Sequence, residues 1–168
     1  TQISIPSSVT QIGDYSFRRC SSLTQISIPS SVTYIGSEAF SFCTSLAQIS
    51  IPSSVTQIEN YAFFGCSSLT QISIPSSISE IGIGIFNKCF HLTNVIIQKE
   101  ESQFIDFING QFIVSKLDRT SNNYAMLLFA ICNSNEITIP SSIEKINTEC
   151  FSECSSLTKI SIPSSVTQ

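Results

Sequence analysis

Charge is what this chain most lacks. Only 12% of its 168 residues are charged, against roughly 25% in an ordinary soluble domain, so the polar surface must be built from uncharged Ser, Thr, Gln and Asn. With a net charge of -4 there is no basic stripe to neutralise phosphates, which argues against nucleic acid and anionic membranes as partners. Long apolar runs are missing too. The longest, Tyr124 to Cys132, falls far short of the roughly 20 residues a membrane-spanning helix needs, so no membrane insertion by this segment is expected. No glycine-rich loop that could cradle a phosphate is present, and no Asn-x-Ser/Thr sequon for N-glycosylation. Histidine occurs once, at His91, and any Ser-His-Asp or Cys-His arrangement would have to be assembled around it. These absences leave no catalytic, cofactor-binding or metal residue to assign; neither an enzyme nor a cofactor is expected.

What the chain has in abundance is repetition. Ile-Pro-Ser-Ser recurs with its proline at 6, 29, 52, 75, 140 and 163, at steps of 23 within each block. The next position in phase falls on Gln98, in Asn94-Val95-Ile96-Ile97-Gln98, a degenerate copy that keeps the apolar phase at Val95 and Ile97. A unit reads Leu23-x-x-Ile26-x-Ile28-Pro29-x-x-Val32-x-x-Ile35-Gly36-x-x-Ala39-Phe40-x-x-Cys43. Its first part alternates apolar and polar residues, as a strand half-buried on one face does, and Pro29 ends it because proline cannot donate to the ladder. Ala39, Phe40 and Cys43 stand at helical spacing, which predicts a short helix or loose helical turn over 37–44. No unit can bury its apolar residues alone; stacked units place their strands in a parallel sheet about 4.8 Å apart. Phe17, Phe40, Phe63, Phe86 and Phe151 would then form an inner column. Because the chain begins and ends in mid-repeat, it reads as a piece of a longer array that lacks its capping repeats.

These residues resemble the BspA-like leucine-rich repeats, with Leu-x-x-Ile-x-Ile-Pro, then Val-x-x-Ile-Gly, then Ala-Phe-x-x-Cys. The resemblance covers the chain except for roughly residues 99–133 and implies an α/β repeat solenoid: a right-handed superhelix with a parallel concave β-sheet and short helical turns behind. It also implies relatives among surface proteins of bacteria and parasitic protists that adhere to host matrix proteins or to other cells.

The interruption carries its own signal. From position 98 to the proline at 140 is 42 residues, 19 more than one unit. Phe104–Ile108 and Gln111–Ser115 flank Asn109-Gly110, a strong hairpin signal of the type I′ kind, and a third run follows at Tyr124–Ile131. The expected organisation is therefore regular repeats over 1–98, a β-meander insert over 99–133 and regular repeats over 134–168. The insert either packs on the solenoid, which its apolar strands favour, or protrudes as a contact site.

Seven cysteines are present, but Cys20, Cys43, Cys66, Cys89 and Cys154 all lie nine residues before a proline position. They are expected to form a column of reduced, buried thiols acting as small hydrophobes with weak donor capacity. A column rising one coil at a time offers no tetrahedral zinc cluster. Cys132 and Cys150 fall off it, and Cys150, in the place of the small Ala39 and Ala62, is expected simply to pack. The recurring Ser-Ser pairs read as turn residues rather than as an activated nucleophile.

A non-catalytic protein-binding or adhesion module at the cell surface is the leading functional expectation. Its partner would be a host matrix or cell-surface protein. The alternative is an intracellular, cytoplasmic or cytoskeletal scaffold, favoured by free thiols and regular pitch. The candidate binding face is the outward side of the strands: Gln25, Ser27, Gln48, Ser50, Gln71 and Ser73, then Asn94 and Ile96, then Lys159 and Ser161. Aromatic and arginine anchors are missing from it, so weak multivalent contact would have to supply avidity.

Overall fold

The computed structural model describes residues 2–98, 105–116, 124–132 and 134–167. The strands in chain order are β1 (Gln2–Ser4), β2 (Gln11–Ile12), β3 (Gln25–Ser27), β4 (Tyr34–Ile35), β5 (Gln48–Ser50), β6 (Gln57–Ile58), β7 (Gln71–Ile74), β8 (Glu80–Ile81) and β9 (Asn94–Ile97). After them come β10 (Ile105–Ile108), β11 (Phe112–Lys116), β12 (Tyr124–Ala130), β13 (Glu136–Thr138), β14 (Lys145–Ile146) and β15 (Lys159–Ser161). Each regular coil contributes two short strands, and both kinds pair in parallel with the residue 23 positions on: Gln2 with Gln25, Ile12 with Ile35, Ile72 with Val95. The chain is a parallel β-solenoid. Its first strand file buries isoleucine and exposes the flanking Gln and Ser, as the alternation requires. The second file, Gln11–Ile12 through Glu80–Ile81, was not anticipated as strand. It arises because the Val-x-x-Ile-Gly segment, once stacked, donates from Thr33 N to Thr10 O (2.9 Å) and from Gly36 N to Ile12 O (2.8 Å).

The expected helical turns are absent: among the described residues there is no helix. Alternate amides of this back wall donate to the next coil, Tyr15 N to Ser37 O (2.9 Å), Phe17 N to Ala39 O (2.8 Å) and Arg19 N to Ser41 O (2.7 Å). The amides between them close tight turns, such as Arg18 N to Tyr15 O at 3.0 Å. Aiming alternate peptides along the stack requires two left-handed residues per coil, four apart: Tyr15 and Arg19, Glu38 and Phe42, Tyr61 and Gly65, with φ between 51° and 70°. A side-chain-bearing residue there costs about 1–2 kcal/mol, which the repeated inter-coil bonds offset. Ala-Phe-x-x-Cys spacing suits a helix and this ladder equally; the ladder wins because it satisfies amides across coils.

The phenylalanine column holds for four coils. Phe17, Phe40, Phe63 and Phe86 stack face to face with centroids 5.2, 5.5 and 5.9 Å apart. Phe151 does not continue it. Phe129 of the insert takes that place, edge-on to Phe86 at 5.6 Å, while Phe151 packs half-buried in a second, C-terminal core with Phe112, Val114, Ile137 and Ile143. The insert lies between the two cores. Its hairpin β10–β11 turns at Asn109 and Gly110 with φ of 55° and 65°, as the type I′ expectation requires. β12 pairs antiparallel with β11 and parallel with β14. Ile113 enters the first core while its neighbours Phe112 and Val114 enter the second, so β11 is a shared wall. Of the expected runs, Phe104 and the polar turn 118–123 lie outside the described residues.

Candidate functional site

Strands β3, β5, β7 and β9 present the polar files on one face. Gln48, Gln71 and Asn94 are in register, as are Ser50, Ser73 and Ile96. Gln25, Ser27, Gln48, Ser50, Gln71, Ser73 and Ile96 line an open groove of about 620 Å³. At its far end the uniformity breaks: Asn94 Nδ2 donates to Gln71 Oε1 (3.1 Å), Gln98 Nε2 donates to Ser73 Oγ (3.1 Å), and Ile96 is 41% exposed. No charged side chain stands among these nine residues, so the face offers amide and hydroxyl hydrogen bonds with one apolar foothold. Lys159 and Ser161 are not among the residues lining the groove; they lie on β15, which pairs with β13, and Lys159 is held by Glu136 at 3.1 Å.

The aromatic and cationic residues missing from the sheet face lie on the back wall. Arg18 sits over the Tyr15 ring (5.5 Å to its centroid), Arg19 over Phe42 (5.6 Å) and Lys88 over Phe64 (5.4 Å). Phe64 meets Phe42 and Tyr61 edge-on. Arg18 also pairs with Glu38 at 2.8 Å. These residues occupy the positions at which the units differ from one another, a signal the sequence reading passed over by attending to what repeats.

The thiol ladder is present in the regular coils. Cys43, Cys66 and Cys89 each donate Sγ–H to the carbonyl of Phe17, Phe40 and Phe63 at 3.1 Å. Burial pushes the Cys43 and Cys89 thiols up to about 12 and raises Cys66 further, so they are held protonated. Two expectations fail. Cys20, in the half-open terminal coil, is only partly buried, and Cys154 is not reduced: it forms a disulfide with Cys132, their Cα atoms 5.3 Å apart. The insert brings Cys132 one residue past the column position, 22 residues before Cys154 rather than the 23 of one repeat.

Residues 1–110 and 116–168 match the BspA type leucine rich repeat region in six copies. The chain belongs to this family. No curated protein matches the chain in sequence. Among solved structures, a leucine-rich repeat protein from Eubacterium ventriosum is 25% identical with a TM-score of 0.74, covering 99% of this chain and 48% of that one. One from Bacteroides ovatus is 29% identical with a TM-score of 0.66, covering 99% and 38%. A leucine rich cell surface protein from Faecalibacterium prausnitzii is 25% identical with a TM-score of 0.51, covering 99% and 62%. The chain thus spans less than two thirds of the length of these proteins.

In this BspA-type array the remaining sequence candidates for chemistry have structural partners. In the turns of Ser31, Ser54, Ser77 and Ser165 the second serine donates to the preceding coil, as from Ser31 to Val9 O and Ser54 to Val32 O at 2.6 Å. His91 Nδ1 lies 2.6 Å from Ser67 O. Among the described residues no group of His, Cys, Asp or Glu could hold a metal ion.

Proposed function

We propose that this BspA-type array is a non-catalytic protein-binding module of a cell-surface protein, and that its ligand lies across the polar sheet face. The observation that carries this is the line of Gln25, Ser27, Gln48, Ser50, Gln71, Ser73 and Ile96 along one groove, with Gln48, Gln71 and Asn94, and Ser50, Ser73 and Ile96, in register across β5, β7 and β9. Identical donors and acceptors recur every coil, so an extended partner strand or a repetitive surface can engage several at once, and avidity replaces single strong anchors. Surface placement is supported by the Faecalibacterium relative, a cell surface protein, and by the Cys132–Cys154 disulfide, since disulfides persist in oxidising compartments and are rare in the cytosol. That bond weighs against the intracellular scaffold.

The test replaces Ser50 and Ser73 by Glu, singly and together. Each change should cost at most about 0.5 kcal/mol of stability, while binding to host cells and to immobilised matrix protein falls. Unchanged binding with an intact fold would remove the sheet face from consideration. A specific observation then favours the back wall, where arginine, lysine and aromatic rings of the kind that anchor interfaces are gathered.

A further inference from the structure

Beside the inserted strands the back wall opens into a cleft of about 230 Å³. Phe86, Phe129 and Ile131 line it, and so does Phe90, which is 65% exposed. Cys89, Cys132 and Cys154 line it as well. Cys89 is a buried thiol of the ladder, and its Sγ–H donates to Phe63 O at 3.1 Å. The other two form the disulfide, and both are half-buried. The bond therefore borders a space open to solvent, unlike the thiols of the regular coils.

The two sulfurs differ in their surroundings. Cys154 stands among the exposed residues Glu153, Ser155 and Ser156, all of which line the cleft. Cys132 follows the buried Ile131 and packs against the second core, with its Sγ 3.7 Å from Ala130 O. Once released, Cys132 has an acceptor in place for its S–H, as the ladder thiols have. The coil keeps its path without the bond. Cys154 N donates to Phe151 O (3.3 Å) and Leu157 N to Cys154 O (3.0 Å), while Ala130 N donates across the coils to Cys150 O (3.2 Å).

A disulfide that a thiol can reach exchanges with it, because a thiolate attacks one sulfur and expels the other; one sealed in a core is protected. We propose that Cys132–Cys154 is a thiol-exchange site, which takes a thiol entering the cleft and holds it covalently on Cys154. The incoming thiol gives up its proton to water, and its sulfur donates an electron pair to Cys154 Sγ. The disulfide breaks, its electron pair leaves with Cys132 Sγ, and Cys132 takes up a proton. A mixed disulfide on Cys154 and a thiol on Cys132 result, with no other oxidant or reductant. The cleft is smaller than the roughly 300–1,000 Å³ of sites for drug-sized ligands, which suits a small thiol or a single cysteine side chain. This site is on a different wall from the sheet face and stands or falls independently of it.

The folded, oxidised chain is incubated at neutral pH without denaturant with reduced glutathione and, separately, with a pentapeptide whose central cysteine is flanked by leucines. Each reaction is quenched with acid and mapped by mass spectrometry. Both probes should appear on Cys154 with Cys132 free, and the circular dichroism spectrum should stay unchanged. Faster capture of the pentapeptide assigns the site to a partner's cysteine, faster capture of glutathione to a small thiol. Glu153→Gln, which removes the carboxylate next to the attacked sulfur, should speed the reaction severalfold by lessening repulsion of the thiolate. Two further variants test which sulfur is attacked. Cys132→Ser should take glutathione onto Cys154 from oxidised glutathione, and Cys154→Ser should take it onto Cys132 about tenfold more slowly, as poorer access implies. A bond that opens only in denaturant, adducts confined to Cys132 or to the ladder thiols, or equal rates for the two serine variants would overturn the site.

Discussion

Stacked thiols show how a residue's role follows from its place in the coil. Cys43, Cys66, Cys89 and Cys150 are buried and free, so a thiol reagent at neutral pH should miss all four in the folded chain and find them in denaturant. Rapid labelling of the folded protein would contradict the ladder. A peptide map made without reductant should return Cys132 and Cys154 as one linked fragment. The raised thiols also set a pH dependence. In the unfolded chain they ionise near 9.0, whereas folded Cys43 and Cys89 do so near about 12. The folded state therefore holds protons that the unfolded state releases. Their contribution to stability is complete below about pH 9 and is lost as pH rises toward about 12. The variant carrying Cys43→Ala and Cys89→Ala should show a shallower alkaline fall in melting temperature than the parent. Among the rings, Phe63 is fully buried between two stacked neighbours, and Phe63→Ala should cost about 3–5 kcal/mol. Phe151→Ala, at a half-buried position outside the column, should cost less. Comparing the two in denaturant melts tests the corrected register.

At the scale of elements, strands and the hairpin were legible while the back wall was not. Alternation in Gln25–Ser27 can be satisfied only by a strand with one buried face, and Asn109-Gly110 reads as a turn because both residues tolerate positive φ. Ala39, Phe40 and Cys43 carry no such discrimination, because what distinguishes helix from ladder is the acceptor of each amide, and that acceptor lies in the next coil. Two glycine substitutions separate backbone strain from contact. Gly110 has φ of 65° and open space around it, so Gly110→Ala should cost about 1–2 kcal/mol. Gly65, at 70°, would also bring a Cβ to 2.8 Å from the Phe42 ring, so Gly65→Ala should cost more. In the insert, Ile113 is fully buried on the strand shared by both cores. Ile113→Ala should cost about 2–5 kcal/mol, and a melt that splits into two steps would show that β11 couples the halves.

For the whole molecule, the repeat by itself determined the solenoid, the phase of the first strand file, the outward Gln and Ser, and the buried Cys and Phe positions of the regular coils. All follow from a 23-residue period that returns like residues to like places, so nearest-neighbour stacking is enough to infer them. Only the tertiary structure decided what happens where the period breaks. An insertion resets the register, and the place at which the chain rejoins the stack depends on how the inserted strands pack, a sum over contacts distant in sequence. Hence Phe129 and not Phe151 extends the ring column, and Cys132 meets Cys154. Lys159 and Ser161, on β15 beside β13, are not among the residues lining the groove. Glu149 accepts from Tyr61, 88 residues earlier, a contact that the 23-residue period does not contain.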